Sequence, residues 1–182
     1  MKGNRAAAAA VIAVVLLLGA WWLLRGGSTP STIALVDQLE SATKAPASAT
    51  YEVIDADLNG EVRRAITANP PTRLTFKVQV PDDGWLKVAV GMKPEAWTQE
   101  GDGVLFFVGV SDNRTFETLF TQHVNPFGNP GDRKWIPVWV DLSAYAGEQI
   151  DLIFNTRSSQ AGAPDDPRND LALWGSPEIV VR

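Results

Sequence analysis

Cysteine is absent from the 182 residues. That removes disulfides, thiolate nucleophiles and lipid-modified cysteine together. Histidine occurs once, as His123, so no metal centre can be built on several imidazoles. No Gly-x-Ser-x-Gly elbow, His-Glu-x-x-His pair or phosphate-cradling glycine loop is present. Positive charge is also scarce: 16 basic residues face 21 acidic ones, and Lys2, Arg5 and Arg25 precede every acid. Residues 26–182 therefore carry −8, thirteen basic against 21 acidic, which argues against a nucleic-acid partner and against docking on anionic lipid.

What the chain has in plenty is apolar sequence at its start. Ala6 to Leu24 runs nineteen residues with no polar side chain except the indoles of Trp21 and Trp22. As a helix it would measure about 28 Å, close to the ~30 Å of a bilayer interior. The reading is one N-terminal transmembrane helix in residues 1–25, with the Met1–Arg5 stub cytoplasmic and the following domain extracytoplasmic. A cleaved signal peptide, cut after Leu18-Gly19-Ala20, is the competing reading. Ala6, Ala9, Ala10 and Ala13 share one helix face and suit packing against a partner helix.

Residues 26–50 read as a linker. Gly26 to Ser31 is flexible in composition. Ile33 to Lys44 places Leu35, Leu39 and Ala42 on one face, which predicts a short amphipathic helix ended by Pro46.

From Tyr51 the period changes to two. Leu74, Phe76, Val78 and Val80 alternate with Arg73, Thr75, Lys77 and Gln79. Strands are also expected over Gly84 to Gly91, Gly103 to Val110, Trp135 to Leu142 and Gln149 to Thr156. Weaker ones are expected over Tyr51 to Asp55, Glu61 to Ile66, Thr115 to Phe120 and Pro177 to Val181. Val104 to Val108 is apolar on both faces, which marks an interior strand. Turn residues separate the segments, as in Asn59-Gly60 and Pro81 to Gly84. Nine such strands predict an all-β fold, an antiparallel two-sheet sandwich over residues 51–182.

Three stretches together resemble a known family. They are Gly101 to Phe106 following Pro94-Glu95-Ala96-Trp97; Arg133-Lys134-Trp135 leading into Val140 to Gly147; and Asp165-Asp166 leading on to Trp174-Gly175. This pattern resembles the galactose-binding-like jelly-roll modules of bacterial envelope proteins. The resemblance implies a two-sheet jelly roll and contact with glycan. It also implies that Asp141-Leu142-Ser143-x-Tyr145 is a structural turn between strands rather than a ligand motif.

Sugars are held by aromatic rings with polar neighbours. Trp97, Trp135 and Trp139 are the ligand-binding candidates. Trp135 and Trp139 share one strand face and Ile136, Val138 and Val140 share the other. With the aliphatic set inward, the tryptophans form an exposed stripe; the opposite assignment buries them. Pro137 between them suggests an edge strand. Trp174 reads as core or as a lid on one end of the sandwich. Asp165, Asp166 and Asp170, with Asn169, form an oxygen-rich loop suited to structural calcium; Asp102 and Asp141 are further candidates. His123 reads as a surface or loop histidine, since a general base needs an orienting carboxylate.

The expectation is a non-catalytic, membrane-anchored module for glycan or another envelope polymer. The alternative is an accessory or structural subunit of a membrane complex. A hydrolase would require two of the 21 carboxylates to converge in a cleft.

Overall fold

A computed structural model describes residues 32–111, 115–158 and 166–182. The apolar run at 6–24, its flanks through Ser31, and Asp165 lie outside the described residues. Among the described residues no helix is long and apolar enough to cross a membrane.

Among the described residues eleven strands form two antiparallel sheets, with short 3-10 turns in the connections. They are β1 (Ile33–Ala34), β2 (Thr43–Ala45), β3 (Val53–Leu58), β4 (Glu61–Thr67), β5 (Thr72–Gln79), β6 (Gly84–Met92), β7 (Val104–Ser111), β8 (Phe116–Val124), β9 (Ile136–Asp141), β10 (Gln149–Arg157) and β11 (Ala172–Val181). One sheet runs β3-β4-β11-β6-β9, with β1 added beside β11; the other runs β2-β5-β10-β7-β8. Trp139 and Pro137 therefore stand on an edge strand, where the missing proline N–H breaks no second ladder. The Asn59-Gly60 hairpin has φ of 59° and 86°, the left-handed pair that a two-residue connection needs.

Alternation decides which faces are buried. Leu74, Phe76 and Val78 of β5 meet Leu86, Val88 and Val90 of β6 in one core between the sheets. β10 supplies Ile150, Leu152 and Phe154, and β9 supplies Val138 and Val140. The aliphatic side of β9 is thus the inner one. Trp174 has no solvent exposure. Its ring stacks on Phe154 at 4.7 Å and meets Phe106 edge-on at 5.0 Å, both favourable ring geometries. It is core. β7 is an interior strand between β10 and β8, as its doubly apolar sequence requires.

The segment before Tyr51 departs from expectation. No amphipathic helix forms over Ile33 to Lys44. β1 pairs Ile33 with Ile179 of β11 in one sheet, and β2 pairs Lys44 with Leu74 of β5 in the other. Between them a single 3-10 turn, Leu35–Gln38, buries Leu35 and Val36. The apolar face read as helical is real, for Leu35, Leu39 and Ala42 all enter the core. Ladder hydrogen bonds at both ends outcompete a lone short helix, which is marginal in water. These residues belong to the sandwich and stitch its two sheets together.

β11 also begins earlier than its weak C-terminal pattern suggested. It starts at Ala172 and changes register between Gly175 and Glu178, where Ser176 adopts φ 44°. β4 pairs with the part before this irregularity and β1 with the part after it.

Candidate functional site

The outer face of the β9 sheet has two unlike halves. On one, Trp135 from the turn before β9 lies flat over the strands with Ala56, Leu58, Ala65, Ala89 and Leu173. Its ring is 3% exposed, and its indole N–H donates to the Glu61 carbonyl at 2.9 Å. Trp135 and Trp139 do share a face, but Trp135 is sealed against the sheet. It cannot offer a ring to a ligand, which corrects the expected stripe. Gly91 and Gly175 leave the space that its ring occupies.

The other half is open. Trp139 is 43% exposed. The Arg182 guanidinium sits 4.6 Å from its ring centroid and 4.8 Å from that of Trp85, bridging the two indoles. Lys87, directly across from Trp139 in the ladder, lies 5.8 Å from the same ring and pairs with Glu178 at 2.6 Å. The result is an aromatic platform with the charged groups of Arg182, Lys87 and Glu178 around it.

A second cluster lies at the end of the sandwich where β6, β10 and β4 finish and β7 and β11 begin. Trp97 is half-buried in a 3-10 turn, its indole N–H donating to the Met92 carbonyl at 2.9 Å. Arg133 donates to the Trp97 carbonyl at 3.0 Å and to that of Pro126 at 2.9 Å, tying two loops together. Phe127 beside them is 43% exposed. His123 Nε2 lies 2.8 Å from the Asp102 carbonyl oxygen. The imidazole thus holds a backbone group rather than a carboxylate, a positioning contact.

The acidic residues of this end differ from one another. Asp166 meets Arg168 through both oxygens, at 2.8 and 2.6 Å, and this pairing holds its carboxyl below the usual range. Expected as a metal ligand, Asp166 is occupied by a cation two residues away. Asp170 is 5% exposed, and burial pushes its carboxyl up to about 7, with Asp102 and Asp166 adding to the rise. The Ser158 side chain lowers it only in part. Burial also raises Asp102. Asp141, at the far end, is exposed and accepts the Ser143 N–H at 2.8 Å. It caps the turn between β9 and β10, which lie in different sheets, so Asp-Leu-Ser is indeed a sandwich corner.

Sequence reasoning missed the partnership of Trp85, Lys87 and Arg182 around Trp139. Trp85 and Lys87 carry the right signal, outward positions of an alternating strand, but which strand lies beside β9 is a matter of topology.

No family model matches the chain. An uncharacterized protein of Archaeoglobus fulgidus is 38% identical over 104 residues, 57% of this chain and 25% of that protein. The chain thus spans about a quarter of the length of the curated relative it matches. Among solved structures, the CBM51 of Clostridium perfringens GH95, in complex with methyl-galactose, superposes with a TM-score of 0.55 at 15% identity, covering 82% of this chain and 99% of that one. The CBM51-2 and INT domains of Clostridium perfringens ZmpB, with GlcNAc, give 0.57 at 15% identity, covering 83% and 32%. Both of these neighbours contain carbohydrate-binding modules, and the fold that this chain shares with them is the galactose-binding-like jelly roll.

Proposed function

We propose that the sandwich is a non-catalytic glycan-binding module, displayed on the outer side of a membrane by the apolar run at residues 6–24. The observation that carries the binding reading is Trp139: a large indole left exposed on an edge strand, with Trp85, Arg182, Lys87 and Glu178 around it. An apolar ring of this size is ordinarily covered in a folded domain. Its face suits the C–H side of a pyranose, and the flanking charges suit the hydroxyls. The likeness to modules solved with methyl-galactose and GlcNAc supports the ligand class. The anchoring rests on the sequence: nineteen apolar residues bounded by Arg5 and Arg25.

The test is a glycan array probed with the full chain, followed by fluorescence titration of each hit against Trp139→Ala. The expected result is binding to a subset of envelope glycans, weakened at least tenfold in the variant with an unchanged circular dichroism spectrum. An array without hits, or a variant that binds as wild type, overturns the reading.

A further inference from the structure

The sheet that runs β2-β5-β10-β7-β8 carries a pocket of its own, where β5 begins and β10 ends. Its volume is about 350 Å³, within the range of small-molecule sites. Ala45, Pro46 and Pro71 give it apolar walls, and Arg73, Asn155 and Arg157 give it a polar side. The ladder brings these three together. Arg73 stands directly opposite Asn155, and Arg157 follows two residues further along β10. Side chains two apart on a strand share a face, and diagonal neighbours on adjacent strands are within reach of long side chains. Leu74 and Phe154 take the inward positions beside them.

Both arginines are held in place without being neutralised. Arg73 Nε donates to Asn155 Oδ1 at 2.9 Å, a contact that does not use its terminal nitrogens. The Arg157 guanidinium lies over the Phe107 ring, 5.0 Å from its centroid, and a guanidinium on an aromatic face keeps its N–H edge for another partner. Among the described residues no carboxylate lines the pocket, and neither arginine forms an ion pair. Partners are not scarce in this chain, where 21 acidic residues face 16 basic ones. Arg63, Arg64, Lys77, Lys87 and Arg168 each pair with an acid. Two uncompensated cations on one face repel each other, and an anion set between them removes that cost.

We infer that Arg73, Asn155 and Arg157 bind the anionic substituent of an acidic sugar, at a second site on the other sheet from the Trp139 platform. A guanidinium fork matches the paired oxygens of a carboxylate, sulfate or phosphate. The Asn155 amide, whose oxygen is taken by Arg73, has its N–H groups to add. Ala45, Pro46 and Pro71 offer apolar surface to the C–H side of the ring that carries the charge. Arg73 and Arg157 are exposed, so the attraction weakens as salt rises. The inference rests on the glycan reading for the class of polymer; its residues are separate from those around Trp139.

The experiment titrates the full chain in detergent with four oligosaccharides of equal length: a uronate, a sulfated, a phosphorylated and a neutral one. The expected result is that at least one acidic oligosaccharide binds about tenfold tighter than the neutral one, with the preference shrinking at high salt. The one preferred identifies carboxylate, sulfate or phosphate as the group. Arg73→Gln and Arg157→Gln should each cut the preference severalfold, and the double variant should remove it. Lys77→Gln takes a charge from the same face but outside the pocket, where Lys77 pairs with Asp151 at 2.9 Å, and should change the preference less than twofold. Equal affinity for acidic and neutral oligosaccharides overturns the inference and leaves the Trp139 reading in place. A preference that survives in the double variant, or that falls as far in Lys77→Gln, overturns it too.

Discussion

Trp135 lies against Gly175: a Cβ added at that glycine would stand 2.6 Å from ring carbon Cζ3. Gly175 is in the central strand β11, paired on both sides, so its backbone has nowhere to retreat. Gly175→Ala is expected to cost about 1–3 kcal/mol, the usual range for overpacking. Urea unfolding followed by tryptophan fluorescence measures it; a midpoint equal to wild type would show that the Trp135 ring moves aside freely.

Trp174 joins the aromatic groups of both sheets, stacking on Phe154 and abutting Phe106. Trp174→Ala should lose about 3–5 kcal/mol, as large buried aromatics do when truncated. That is a major share of a typical domain's stability. Chemical denaturation reads the loss, and a cost below 1 kcal/mol would mean that the core refills the space.

Trp97 and Trp139 should behave oppositely on substitution by alanine. Trp139 is 43% exposed and its ring meets Lys87 and Arg182 in cation–π contacts, so Trp139→Ala should cost about 0.5–1 kcal/mol of stability. Trp97→Ala removes packing on the Trp135 cluster and the Met92 hydrogen bond, and should cost about 2 kcal/mol or more. Paired unfolding curves test the order; the reverse order would show that Trp139 is the structural residue of the two.

Asp141 contributes to the acid limb of the stability profile. Its hydrogen bonds from Ser143 lower its carboxyl below the ordinary value. A depressed folded-state value gives stability that is present above the unfolded value, about 3.9, and lost as pH falls through the folded one. Asp141→Asn should lower the neutral plateau, leave stability at the acid end nearly unchanged, and so flatten the acid-side loss. Thermal unfolding from pH 2 to 7 shows it, and an unaltered acid limb would remove Asp141 from the account.

The strands were legible because half-buried sheet residues must alternate. Leu74, Phe76 and Val78 declared their inward face without knowledge of their partners. Trp174, between Leu173 and Gly175, was legible only as core or as a lid on one end of the sandwich, and the rings of Phe106 and Phe154 decide for the core. Residues 33–45 misled because an apolar spacing of four fits a helix, and it equally fits a turn with bends between two short ladders. Trp135 misled because its burial depends on Gly91 and Gly175, forty or more residues away on either side of it. The acidic loop was visible as a cluster. What separates Asp166 from Asp170 is which carboxylate Arg168 reaches, and a one-dimensional pattern does not hold that information.

The place of β11 has a consequence for how the protein is made. It follows every other described strand of the sandwich along the chain, yet it lies between β4 and β6 in its sheet. While residues 172–181 are still inside the ribosome, β4 and β6 each present a bare edge, and β1 has nothing to pair with. The sheet therefore cannot assemble gradually from its N-terminal side. It must wait for its central strand and then close in a single late event, with two exposed strand edges needing protection until that moment.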